Sequence, residues 1–300
     1  MESVKPIDIK SGMKVKDLVS EMSSSGVMGA GRISKAVEIM SAMKDDKDCK
    51  VFFGLAGAMV PGGMKNIVID MLKNGYIDVF VTTGANMTHD LIEALGFHHY
   101  QGSQHVNDKE LHKKGIDRIY DTFMKNEVYE KLEEFFNEHF DELKDETDIK
   151  EFLWKIGGLL EKDSILKTCY DKKIPIFCPG IADSGIGLMI WGHLAKGEAV
   201  QLKAFEDLKE IMDISWTSKK SGVIYIGGGV PKNYIQQAMQ VTNGASYGIQ
   251  ITTDRPESGG SSGAELKEGI SWGKMNEEGN YVNVICDATI ALPLIYAAVK

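Results

Sequence analysis

A lysine beside a carboxylate and an aromatic ring is a combination suited to amine chemistry, and residues 258–274, SGGSSGAELKEGISWGK, supply all three in Glu268, Trp272 and Lys274. On a helix, Glu268 and Trp272, four apart, would share a face. A carboxylate and an aromatic face are what an amine cation needs, one as charge partner and the other as cation–π surface. A lysine next to them becomes nucleophilic if burial and cationic neighbours lower its pKa. It can then form a Schiff base with a carbonyl or, by transimination, with an imine. On spacing alone, a surface helix with a packed tryptophan and a solvated lysine accounts for the segment better.

A second set of residues lies where strands are expected to end. Thr82-Thr83-Gly84, Gly180–Gly187, Gly227-Gly228-Gly229, Thr253-Asp254 and Asp287-Ala288-Thr289 each close an apolar run with glycine or small polar residues. Ligands of open α/β sheets bind at the carboxyl ends of strands. Glycines let a dinucleotide approach the backbone, and N–H groups at a helix start can hold a pyrophosphate. Carboxylates such as Asp183 or Asp287 could hold ribose hydroxyls. Any one cluster reads best as a tight turn, whereas five together favour a ligand edge. There is no strict GxGxxG, so the dinucleotide signal from pattern is weak.

The elements that must position these residues follow an alternation. Strands are expected at Val51–Leu55, Asp78–Thr83, Pro175–Pro179, Gly222–Ile226, Tyr247–Thr253 and Val282–Asp287, with helical patterns between them. A short helix is expected around Val15–Met22. Another is expected from Ser34, after the serine- and glycine-rich SSSGVMGAGR. Strand and helix alternating at this spacing predict an α/β fold, a parallel sheet with helices on both faces. Residues 109–162 are charged and expected to be helical, with one apolar stripe through Val128, Leu132, Phe135, Phe136, Phe140 and Leu143 and another through Ile149, Phe152, Leu153 and Ile156. No Gly/Ser/Pro linker interrupts them, so residues 1–300 are expected to form a single domain.

Composition narrows the class. The chain has 300 residues, 43% hydrophobic and 26% charged, with a net charge of -9. Such an acidic balance argues against binding nucleic-acid phosphates. Four cysteines without a CxxC pair read as buried free thiols, and no metal site is expected. The N-terminal residues lack a secretory h-region and no run of about 18 apolar residues occurs, so no membrane association and a cytoplasmic setting are expected.

Specific motifs then point to a family. ISWGK (Ile270–Lys274), preceded by SGA (Ser262–Ala264) and followed by CDATIALPL (Cys286–Leu294), resembles the C-terminal signature of deoxyhypusine synthases. GGGVPK (Gly227–Lys232) and VTTGANMTHDL (Val81–Leu91) match two further blocks in order. GVMGAGRISKAVEIM, FFGLAGAMVPGGM and CPGIADSGIGLM fit the remaining blocks more loosely. The resemblance spans roughly residues 25–296. It implies a Rossmann-like NAD-binding fold and a homotetramer. It also implies a reaction in which NAD takes a hydride from spermidine and the resulting imine passes its aminobutyl group to an enzyme lysine. The group then moves to a lysine of translation initiation factor 5A and is reduced. Lys274 matches the imine-forming lysine, and Glu268 and Trp272 match substrate-site residues. Thr83, Gly84, Asp183, Gly227, Gly229, Thr253, Asp254 and Asp287 fall where the family contacts the dinucleotide.

The chain departs from that pattern in places. A His-His pair usually follows the lysine of the GGG block, and its first histidine is the expected base. Here Asn233-Tyr234 stands there, and asparagine cannot take a proton near neutral pH. His89 and Leu188 replace expected acidic residues, and Ser258 and Ser261 replace loop carboxylates. His89 is the replacement base the sequence suggests, with Asn233 left at the substrate site. Two alternatives stay open: transfer to a small amine acceptor, as in homospermidine synthases, and a noncatalytic NAD-binding homologue.

Overall fold

A computed structural model describes residues 2–300. The six strands of the main sheet are β1 (Cys49–Leu55), β2 (Val79–Thr82), β3 (Ile176–Phe177), β4 (Lys220–Ile226), β5 (Ala245–Thr252) and β6 (Met275–Ile285). They form one sheet in the order β3-β2-β1-β4-β5-β6. That order is the doubly wound dinucleotide-binding topology, which reverses direction between β1 and β4. The expected α/β class and parallel sheet are therefore observed. β1 and β4 pair in parallel from Cys49 beside Lys220 to Leu55 beside Ile226, and β5 is parallel to both β4 and β6. Phe52, Phe53, Leu55, Val223 and Tyr225 are all fully buried. Strands covered on both faces read as such continuous apolar runs.

By contacts the chain divides into two compact units. The first comprises the chain up to Ala56, Gly75–Val81 and Lys209–Lys300. In it, helices α1 (Val15–Ser25) and α2 (Met28–Asp45) pack together, and α2 lies on β5 and β6. The second helix starts six residues earlier than Ser34. Gly26, in the left-handed conformation, ends α1 by donating its N–H to Met22. The chain needs only Val27 before the next helix begins, so the glycines at 29 and 31 lie inside α2.

The second unit comprises Gly57–Asn74 and Thr82–Leu208. It contains α3 (Lys65–Lys73), α4 (Gly84–Ala94), α5 (Ile165–Lys172) and α6 (Gly185–Ala195). The stretch expected to be helical between 109 and 162 departs from that reading at Ile116–Ile119 and Thr122–Lys125, which form an antiparallel hairpin. Its turn is made by Tyr120 at φ 56°, without the Asn-Gly or Asp-Gly pair that marks such turns in a sequence. The helices Glu127–Glu138 and Ile149–Gly158 do carry the expected stripes, with Val128, Leu132, Phe136, Phe152, Leu153 and Ile156 buried. Phe140 instead stacks on His193, with ring centroids 3.8 Å apart.

Asp90 ties α4 to α5. Its carboxylate is fully buried and accepts the N–H groups of Ile165 and Leu166, both at 2.9 Å. Burial pushes its pKa up to about 6 in spite of those bonds. Asp90→Ala leaves two helix-start donors in the interior without their acceptor, and is expected to cost about 2 kcal/mol in urea unfolding. An unchanged midpoint would show that other groups satisfy the start of α5. Among the described residues no helix is long and apolar enough to cross a membrane.

Candidate active site

In the first unit the site is built from the ends of β4, β5 and β6. Helix α7 (Gly229–Gln240) follows β4 directly. Gly227 and Gly229 adopt φ of 70° and 55°. A Cβ on Gly228 would lie 2.2 Å from Ser262 Cα, so only glycine admits the serine-rich loop there. The same loop folds back on itself at Gly263, where a Cβ would meet Arg255 O at 1.9 Å.

One residue fastens this loop. Lys232, on α7, is 1% exposed, and its Nζ donates to Gln250 Oε1 (2.9 Å), Ser261 O (2.7 Å) and Ala264 O (2.6 Å). Gln250, buried in β5, donates to Ser262 O at 2.8 Å, and Ser261 Oγ donates to Gly229 O at 3.2 Å. Asp254 accepts from Ser262 Oγ at 2.5 Å. Burial, opposed by Glu268 and assisted by the positive charge of Lys274, lowers the pKa of Lys232 to about 8. Lys232 thus senses both chemistry-bearing residues of the following segment. Sequence reasoning passed over it as a site residue. The signal was there: Lys232 precedes Ile235, Gln236 and Met239 at helical spacing, all buried, so it occupies a core position.

Residues Leu266–Trp272 form a 3-10 helix closed by Gly273, not an α-helix. With three residues per turn, Ser271 aligns with Glu268 and donates its hydroxyl to Glu268 O at 2.9 Å. Trp272 lies a third of a turn away, so the shared face expected for Glu268 and Trp272 is not formed. Both side chains are exposed. Lys274 is half-buried, with Nζ 5.0 Å from the centroid of the Trp272 ring. Its backbone is held between Gly269 O and Ala245 N. The lysine and the ring do meet, by way of the turn at Gly273.

Asp287 caps helix α8 (Ala288–Val299), accepting from Thr289 N and Thr289 Oγ1, both at 2.7 Å. It stands next to the end of β5, where Cys286 N donates to Thr252 O. Thr253, Asp254 and Asp287 are thereby gathered at adjacent strand ends and are exposed. Asn233 is half-buried on α7, next to Lys232.

The second unit holds the remaining residues. Thr83 caps α4 by accepting from Asn86 N at 3.3 Å. Gly84 lies so close to Ser184 that a Cβ would be 2.5 Å from the serine Cβ. Ser184 caps α6, which brings exposed Asp183 to the same helix starts as Thr83 and Gly84. His89 sits further along α4, half-buried, with its Nδ1 2.9 Å from His99 Nε2. Burial, and then the neighbouring His99, lower its pKa to about 4. Among the described residues there is no group of three or more His, Cys, Asp or Glu arranged to hold a metal ion.

Fold and site together define a doubly wound α/β protein with glycine-lined strand ends and a lysine set against tryptophan. The comparisons make the assignment specific. The deoxyhypusine synthase family model matches residues 17–299. A protein of Methanosarcina mazei named probable deoxyhypusine synthase 1 is 47% identical over 300 residues, covering 99% of this chain and 94% of its own. Probable deoxyhypusine synthase 2 of Archaeoglobus fulgidus is 44% identical over 284 residues, covering 91% and 94%. A crystal structure from Entamoeba histolytica assigned to deoxyhypusine synthase shares the fold, with a TM-score of 0.66 at 19% identity, over 98% of this chain and 96% of that one. The chain belongs to the deoxyhypusine synthase family, a family of transferases.

Proposed function

We propose that the chain transfers the aminobutyl group of spermidine, in an NAD-dependent reaction, through an imine on Lys274 to a lysine of translation initiation factor 5A. The observation that carries this reading is Lys274 beside Trp272, on a segment fastened by Lys232 to the glycine turn at the centre of the sheet.

The residues present fit a dinucleotide. Gly227 and Gly229 take backbone conformations that open the turn, the space beside Gly229 is clear, and the start of α7 has no side-chain cap. Its first N–H groups would hold phosphate oxygens. Asp254 and Asp287 would accept ribose hydroxyls, and the family resemblance adds Thr83, Gly84, Asp183 and Thr253 to the cofactor set. Bound NAD would supply the hydride acceptor for the amine carbon. The chain's own groups do the rest. The Trp272 face and the Glu268 carboxylate attract the cationic amine. Lys274 Nζ, as the free amine, bonds to the imine carbon while the bond from that carbon to the departing diamine nitrogen breaks. His89 takes the substrate amine proton in place of the histidine that Asn233 replaces, and Asn233 is left to orient substrate by hydrogen bonding. The setting proposed is a cytoplasmic homotetramer.

Asp183→Ala and Asp287→Ala are each expected to weaken NAD binding by about 1–3 kcal/mol, read by calorimetry. Asp287→Ser separates binding from folding, because serine can keep the α8 cap while losing the carboxylate. Unchanged affinity in both alanine variants would remove the cofactor assignment. Supplying spermidine and NAD with either the protein acceptor or small amines, and identifying the aminobutylated product, tests the acceptor. A homospermidine-type product formed in preference would reassign it.

A further inference from the structure

Four side chains of the second unit form a continuous line. Lys65 Nζ lies 2.7 Å from Glu93 Oε2, His99 Nδ1 lies 2.9 Å from Glu93 Oε1, and His99 Nε2 lies 2.9 Å from His89 Nδ1. The His99 side chain is 5% exposed. Burial alone would raise the Glu93 carboxyl, but hydrogen bonds from His99 and Lys65 hold it below its ordinary value.

With both imidazoles neutral, these contacts admit one arrangement of hydrogens. An ionised carboxylate only accepts, so the hydrogen between Glu93 and His99 is on His99 Nδ1. A neutral imidazole carries one N–H, which leaves His99 Nε2 with a lone pair. The hydrogen between the two rings is then on His89 Nδ1, and His89 Nε2 is left with a lone pair.

We propose that His89, His99 and Glu93 form a proton relay, in which a proton enters at His89 Nε2 and its charge comes to rest on His99. Resting on the reaction proposed above, the proton is that of the substrate ammonium. The step balances. An N–H bond forms at His89 Nε2, the N–H bond at His89 Nδ1 breaks, and that hydrogen bonds to His99 Nε2. His89 ends neutral, and His99 ends as an imidazolium against the Glu93 carboxylate. The arrangement meets a difficulty that His89 alone would face: burial and His99 oppose a charge resting on it until about pH 4. Passing the charge one ring further puts it beside a carboxylate. The charged groups along the line are Glu93, on α4 with His89, and Lys65, on α3, which pairs with the other carboxylate oxygen. His89 is the catalytic group, and His99 and Glu93 are positioning residues.

Nitrogen-15 NMR of the imidazoles in the wild-type protein near pH 7.5, without substrate, reads the hydrogens directly. His89 is expected to carry its hydrogen on Nδ1 and a lone pair on Nε2, and His99 likewise. A neutral His89 with its hydrogen on Nε2 would overturn the relay. The variant His99→Gln offers an amide oxygen that can accept from His89 Nδ1 but cannot carry the proton onward. It is expected to keep the His89 tautomer while spermidine-dependent NADH formation falls about 100-fold in kcat, with the KM for NAD little changed. Full turnover in His99→Gln would overturn the proton-carrying role. A wild-type protein with the expected tautomers that forms no NADH from spermidine would instead sink the proposed function, so the two failures are distinguishable.

Discussion

Lys274→Ala is expected to lower aminobutyl transfer by about 1,000-fold or more, because the reaction loses the atom that forms its covalent bond. Incubation with NAD and spermidine followed by borohydride is expected to leave a reduced adduct on Lys274, mapped by mass spectrometry, and none in the variant. Lys274→Arg should fail as completely, since a guanidinium stays protonated and has no free electron pair to offer. NAD affinity should hold in both, because the side-chain contact of Lys274 recorded here is with the Trp272 ring, not with the glycine turn. An adduct on a different lysine, or transfer surviving Lys274→Ala, would end the assignment.

The second large effect belongs to Lys232. Lys232→Met keeps most of the side-chain volume but removes three hydrogen bonds made at 2.6–2.9 Å. It leaves the carbonyls of Ser261 and Ala264 and the Gln250 amide without their donor, at an expected cost of about 3 kcal/mol in denaturant unfolding. Because the loop it fastens leads into residues 266–274, transfer activity should fall with it, even in buffer where the variant remains folded. The pH dependence has a definite sign. The native pKa, about 8, lies below that of free lysine, so from about pH 8 upward the folded protein sheds a proton that the unfolded chain still holds. Stability of the wild type relative to Lys232→Met should therefore rise toward pH 10, by at most about 1.4 kcal/mol per pH unit, and shrink again as pH falls back through 8. Equal unfolding midpoints for the two proteins across this range would show that Lys232 does not fasten the loop.

Much of the frame was legible in the sequence because burial on both faces leaves a simple trace. Val51–Leu55 and Gly222–Ile226 could hardly be anything but interior strands, and the small residues after them had to lie at the carboxyl edge. Lys274 stood out as a candidate through its WGK setting, and its amine lies over the Trp272 ring. What escaped notice depends on local geometry or on distant partners. Nothing in LKEGISW distinguishes three residues per turn from 3.6, so Glu268 and Trp272 were expected on one face and are not. The Ile116–Lys125 hairpin was hidden by charge and by a turn built on Tyr120. The importance of Lys232 lies in acceptors 18 to 32 positions further along the chain. His99 and Glu93 gain meaning only once α4 brings His89 within reach of them.

The strand order also bears on how the molecule is made. The innermost pair of the sheet, β1 and β4, joins segments far apart in the chain; beside it, Asp48 and Lys219, 171 positions apart, meet at 2.8 Å. A growing chain must therefore hold Phe52 and Phe53 on a strand with one edge unpaired while most of the remaining sequence is still being synthesised. Closing so long a loop precedes any reward from the central pairing, which makes for slow folding. A fragment ending before residue 220 would keep that edge open permanently, with the backbone groups of an apolar strand available to any other chain. Such truncations should collect in inclusion bodies, whereas the whole chain covers the same edge with β4.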